Sequence, residues 1–135
     1  MRILGLDPGE KRIGVAVTDP LGLTAQGISV ISYDRLEDAL NEIEGICRHY
    51  EVTEVVVGNP LKMNGSRGTA SEKAEKFAEK LRRKLDLPVI LIDERLTTAG
   101  AERTMIAGGA SRKKRRETRD KLAAALILDL YISSR

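Results

Sequence analysis

Arg2-Ile3-Leu4-Gly5-Leu6-Asp7-Pro8-Gly9-Glu10-Lys11-Arg12-Ile13-Gly14-Val15-Ala16-Val17-Thr18 opens the chain with two short apolar runs, residues 2–6 and 12–18, around one compact turn signal. Short runs rich in Ile, Leu and Val and bounded by Asp, Pro and Gly read as strands, so this stretch predicts a β-hairpin. Moving outward, residues 22–31 predict a third, antiparallel strand, weakened by its glycines. From Asp34 the period changes. Leu36, Ala39, Leu40, Ile43, Ile46, Cys47 and Tyr50 recur at three and four, with Asp34 and Glu37 spaced as a variant capping box, which predicts an amphipathic helix.

Val55-Val56-Val57 then reads as a buried strand ending in Gly58-Asn59-Pro60, and a loop runs through Met63 to Gly68. Ala70, Ala74, Phe77, Ala78, Leu81 and Leu85 share one helical face, and residues 87–92 read as a further buried strand. A helix is expected from Thr97 or Thr98, which read as caps, to Gly108-Gly109. A basic loop follows, then a final helix from about Glu117 to Ile132. Strands that first pair antiparallel and then alternate with helices predict an α/β fold. Its sheet is mixed and five-stranded, three antiparallel strands followed by parallel ones, with helices on both faces. The 135 residues suffice for one domain spanning 1–135 and not for two catalytic domains.

The chain is 41% apolar and 32% charged, the profile of a globular protein. Its longest apolar run, Leu122 to Leu128, falls far short of the roughly 20 residues a membrane span needs. The charged turn after residue 6 stands where a signal peptide needs its apolar stretch, so a cytoplasmic setting without membrane contact is expected. Cys47 is the only cysteine and His49 the only histidine, and both read as structural residues of the first helix. Metal chemistry here must use carboxylates. Residues 112–121 hold seven Lys or Arg against two acids, a net +5, while the rest of the chain sums to −2. Such localised charge suits a polyanion-facing edge, a solvated loop being the alternative. One Phe, three Tyr and no Trp leave little material for base stacking, so recognition by backbone and shape is expected.

Three acids stand out. Asp7 closes the first strand, at a sheet edge beside the core, where a carboxylate needs a partner unless it serves only the Asp-Pro-Gly turn. Asp93 and Glu94 follow the later strand, and ligands collect outside the carboxyl ends of strands in such sheets. If the two strands lie parallel and adjacent, Asp7 and Glu94 meet; the alternative pairs Glu94 with Arg95 at the surface. Asp120 shares a face with Ala123, Ala124, Ile127 and Tyr131 on a final helix that reads as buried nearly all round. It points either toward the other two acids or merely toward its own helix dipole. Three convergent carboxylates need bridging cations, and oxygen-only ligation suits Mg²⁺ or Mn²⁺, which activate water for phosphodiester hydrolysis.

Four blocks in order resemble the YqgF family, described as Holliday junction resolvases and as pre-16S rRNA nucleases with a ribonuclease H-like fold. They are Leu6-Asp7-Pro8-Gly9 with residues 11–16, Val57-Gly58-Asn59-Pro60 with residues 63–66, residues 93–98, and Asp120 with Ala123-Ala124 and Ile127-Leu128. The resemblance implies an active site of Asp7, Glu94 and Asp120 holding Mg²⁺ or Mn²⁺, and a role in maturing the 5′ end of 16S rRNA. Asn59, Asn64 and Arg119 depart from the pattern without removing an acid. Lys11, Arg12, Asn59, Arg67, Arg95 and the run Arg112, Lys113, Lys114, Arg115 and Arg116 are candidate nucleic-acid contacts, the run being expected as a flexible loop that orders on binding. Gly9 and Gly14 would permit close backbone approach beside Asp7. Expected partners are precursor 16S rRNA or branched DNA, with ribosomal particles, in a monomer or homodimer. The competing reading is a non-catalytic nucleic-acid-binding factor in ribosome assembly or transcription. Leu6-Asp7-Pro8-Gly9 also resembles the phosphate loop of sugar kinases and actin-like ATPases, but those enclose a nucleotide between two domains, and this chain has room for one.

Overall fold

The computed structural model describes residues 1–60, 68–93 and 112–134. Its elements in chain order are β1 (Arg2–Pro8), β2 (Arg12–Thr18), β3 (Ala25–Ser32), α1 (Leu36–His49), β4 (Val52–Asn59), α2 (Thr69–Leu85), β5 (Val89–Asp93) and α3 (Arg112–Ser133). The strands form one sheet in the order β3-β2-β1-β4-β5. β1 pairs antiparallel with β2, as β2 does with β3, whereas β1 with β4 and β4 with β5 are parallel. This is the mixed sheet expected from the sequence. β1 and β5 are parallel but not adjacent, because β4 lies between them. The rows Leu6, Val57 and Leu91 run level, so these three strands end at the same edge.

Strand alternation sorts side chains to two faces. Leu4, Leu6, Ile13, Val15, Val17, Val55 and Val57 face α1 and α2, where Leu40, Ile43, Phe77 and Leu81 complete a core of large side chains. Ile3, Ala16 and Val56 face α3, which contributes Ala124, Ala125, Ile127 and Leu128. Small residues line that second face. Gly5, Ala16 and Gly27 sit in register across β1, β2 and β3. A Cβ on Gly5 would stand 2.5 Å from Leu128 Cγ, and one on Gly27 would stand 2.8 Å from Lys121 Cβ. Of the two glycines that weakened the reading of β3, Gly27 therefore joins Gly5 in a seam that lets the helix lie against the sheet, while Gly22 precedes the strand.

Several expectations need correction. The first helix begins at Leu36 with Arg35 at its N-cap and no side-chain cap, so the Asp34 and Glu37 capping box does not form. The run Arg112 to Arg116 is not a loop; it forms exposed helical turns of α3. Lys and Arg are good helix formers, so charge alone did not stop the helix. α3 is also less buried than expected: Asp129 faces outward as read, but Leu130 is 39% exposed as well. The middle loop through Arg67, the segment with Glu94 and Arg95, and the helix expected from Thr97 or Thr98 to Gly108 lie outside the described residues.

Candidate active site

β1 carries Asp7 on the same side as Ile3 and Gly5, the side that α3 covers. Its register partner on β2 is Gly14. A Cβ on Gly14 would come within 2.0 Å of the Asp120 carbonyl oxygen, so α3 passes over β2 in direct backbone contact at this residue. Only glycine fits there, as the sequence anticipated for Gly14. The contact places Asp120 at the end of β1. Asp7 and Asp120, from opposite ends of the chain, line one open cavity of about 310 Å³ together with Gly9, Glu10, Lys11 and Arg12.

Because α3 already runs from Arg112, Asp120 lies at least two turns inside it. The helix dipole acts only within the first turn and does not account for an acid there. Instead the Arg12 Nε donates to Asp120 Oδ2 at 2.9 Å, with the two side chains 35% and 17% exposed. Asp7 is half-buried. The turn linking β1 to β2 is fixed by Gly9 N–H donating to the Arg12 carbonyl at 2.8 Å. Tyr33 braces it from β3's end, its hydroxyl donating to the Gly9 carbonyl at 2.9 Å. Burial, and secondarily the Glu10 carboxylate, raise the Tyr33 phenol, which keeps it a proton donor.

Of the expected nucleic-acid contacts, Lys11 and Arg12 line the cavity. Arg112 to Arg116 are exposed on α3. Asn59 sits half-buried at the end of β4 and accepts from the Ser71 hydroxyl at 2.6 Å, which commits its side-chain oxygen to α2. Asp93, the neighbour of Glu94, ends β5 level with Asn59. Glu94, Arg67 and Arg95 lie outside the described residues. Among those residues no group of three His, Cys, Asp or Glu converges. Asp7, Glu10 and Asp120 do line the same cavity, and the oxygen-only donors of Asp7 and Asp120 suit a hard divalent cation. Cys47 and His49 belong to α1, the helix on the opposite face of the sheet. The Arg12 pair with Asp120 was missed from sequence; the one available signal was Arg12's place directly after the turn that Asp7 begins.

Comparison with known proteins agrees with this fold. The sequence model of the family described as "RuvX: Holliday junction resolvase" matches residues 1–134. A relative from Geobacillus kaustophilus is 52% identical over 137 residues, covering 100% of this chain and 99% of its own length. One from Clostridium tetani is 48% identical over 134 residues, covering 99% and 97%. Both carry the name "Putative pre-16S rRNA nuclease". In structure the chain is similar to Thermus thermophilus RuvC bound to a Holliday junction substrate, with a TM-score of 0.61, 16% identity and coverage of 99% and 96%. It is also similar to the fowlpox virus Holliday junction resolvase, with a TM-score of 0.57, 18% identity and full coverage of both chains (100%). At such identities the likeness establishes the shared ribonuclease H-like fold.

Proposed function

The chain belongs to the RuvX family of Holliday junction resolvases, and from that premise we propose that it is a divalent-metal-dependent nuclease that hydrolyses phosphodiester bonds in precursor 16S rRNA. The observation that carries this reading is the pairing of Asp7 with Asp120 around one open cavity that also presents Lys11 and Arg12. The names of the curated relatives favour rRNA as substrate, and the fold of the structural neighbours favours nuclease chemistry.

In this reading residues 1–135 act as one cytoplasmic nuclease domain, as monomer or homodimer, on RNA or ribosomal particles. The carboxylates of Asp7 and Asp120, with Glu94 as a third, would hold Mg²⁺ or Mn²⁺. A cation so held lowers the pKa of attacking water and stabilises the leaving oxygen. The protein's own groups do the remaining work. Arg12 neutralises one oxygen of Asp120 in the free protein and is placed to take a phosphate oxygen once substrate arrives. Lys11 lines the same cavity and attracts the backbone to it. Arg112, Lys113, Lys114, Arg115 and Arg116 present charge on the helix that carries Asp120, while Arg67 and Arg95 are further contacts in this reading.

A second reading, cleavage of branched DNA, is favoured by the family description and by the junction complexes among the structural neighbours. Such an enzyme nicks two strands in matched positions and needs a symmetric dimer. One experiment separates the readings: labelled RNA spanning the 5′ leader of 16S rRNA and a four-way DNA junction are incubated in parallel with Mg²⁺, Mn²⁺ or EDTA. RNA cleavage that EDTA abolishes and that Asp7→Asn lowers at least about a hundredfold is expected. Binding of both nucleic acids without metal-dependent cutting of either would replace the nuclease reading with that of a non-catalytic assembly factor.

A further inference from the structure

The β1–β2 turn has two sides. Gly9, Glu10 and Lys11 line the acidic cavity on one side, and on the other they form the end of a larger groove of about 850 Å³ against α2. Tyr33, Leu36 and Phe77 contribute apolar surface to this groove, and Lys73, Lys76 and Lys80 edge it. The three lysines recur at intervals of three and four, so they occupy one face of α2 over roughly 10 Å of helix. With Lys11 they set four ammonium groups against one carboxylate, that of Glu10. Lys73 approaches Glu10 Oε1 at 3.8 Å, an exposed and weak pair. Lys11, Lys76 and Lys80 form no ion pair among the described residues.

We infer that this groove binds single-stranded RNA continuous with the cleaved strand, the lysines taking phosphates and the apolar floor taking an unpaired base. The inference rests on the nuclease reading and deepens it. Charge complementarity selects a polyanion, since α2 offers a row of ammonium groups that one carboxylate does not neutralise. The apolar floor selects bases that are turned out of a helix, because a duplex presents only its backbone to such a surface. Continuity selects the strand: a chain leaving the acidic cavity across the Gly9 to Lys11 turn enters the groove directly. Aromatic residues are few in this sequence; half-buried Tyr33 lines this groove, and Phe77, a core residue only 5% exposed, closes its floor.

The test is fluorescence anisotropy with EDTA present, so that binding is read without cleavage, comparing wild type, Asp7→Asn and the double variant Lys76→Glu/Lys80→Glu. The probes are a labelled single-stranded RNA of about ten nucleotides, the same strand with abasic positions, and a blunt RNA duplex. Lys76 and Lys80 are exposed, so the double variant should fold, and circular dichroism checks this. Tenfold or greater loss of single-strand affinity is expected, with duplex affinity changed less than about twofold and a salt dependence shallower by about 0.7 for each phosphate no longer neutralised. Wild type should bind the intact strand several-fold better than the abasic one. Equal losses on single strand and duplex, unchanged single-strand affinity, or indifference to abasic positions would each overturn the groove. Loss confined to single strands, in a protein that cuts no substrate even with Mn²⁺, would sustain the groove and remove the nuclease reading.

Discussion

The two faces of the sheet are built on opposite principles. Toward α1 and α2 the strands present Leu, Ile and Val, and helix and sheet are separated by a full layer of large side chains. Toward α3 they present Gly5, Gly14, Ala16 and Gly27, and the helix backbone reaches the strands themselves. The first arrangement stabilises the fold, since each fully buried Leu or Ile contributes roughly 1.5–3 kcal/mol relative to exposure. The second gives up apolar volume and gains position. With Gly14 against the Asp120 carbonyl, a residue near the end of the chain is held beside a strand that begins it. A thick core face tolerates small shifts of its helices, whereas a backbone contact does not.

The sharpest way to break this contrast is a matched pair of substitutions, Gly14→Ala and Leu81→Ala. Gly14→Ala inserts a Cβ at 2.0 Å from a backbone oxygen, so α3 must move at Asp120. Its overpacking cost should be about 1–3 kcal/mol, with RNA cleavage by the folded protein reduced at least about a hundredfold. Leu81, fully buried against the other face, should lose about 2–5 kcal/mol as Ala while cleavage per folded molecule changes less than about threefold. Urea unfolding and single-turnover assays on both variants measure the two quantities; equal damage to cleavage would dissolve the distinction between the faces.

Arg12→Gln sharpens the comparison at the site itself. The substitution removes the cation that neutralises Asp120, so Mn²⁺ should bind several-fold more tightly while RNA binds more weakly. Titration of Mn²⁺ followed by electron paramagnetic resonance reads the first change. Weaker Mn²⁺ binding in the variant would show that the ion pair organises Asp120 for metal instead of competing with it.

The smallest effect concerns the thick face. Burial, with the Glu44 carboxylate second, pushes the Cys47 thiol from 9.0 up to about 11. Below pH 9 both folded and unfolded chains hold the proton and nothing is lost. As pH rises toward 11 the unfolded chain releases its proton before the native one does, so stability falls through that window. Cys47→Ala should flatten this alkaline dependence and leave cleavage unchanged at neutral pH. Persistence of the same alkaline loss in the variant would assign it to other groups.

Much of this was legible in the residues. The hairpin of residues 2–18, the valine strand β4 and the periodic faces of α1 and α2 announce themselves because burial imposes periods of two and of three to four on local sequence. Asp7 and Asp120 were legible because an acid at the edge of an apolar run is conspicuous. The start of α3 was not, since a basic run satisfies helix and loop alike and only its continuation into the apolar segment decides. The capping box failed for a related reason: residue types permit a cap, but the path of the chain into the helix determines whether it forms.

The sequence by itself determined the types of β1 to β5, α1 and α2, the mixed sheet and the candidate acids, all of which follow from short-range pattern and composition. Tertiary structure alone decided that β4 separates β1 from β5, that Arg12 faces Asp120, that Asn59 is engaged by Ser71, and that lysines of α2 share a groove with the β1–β2 turn. These are contacts between residues far apart in the chain. No local pattern encodes them, because they arise from which side chains on other elements are small enough to let two backbones meet.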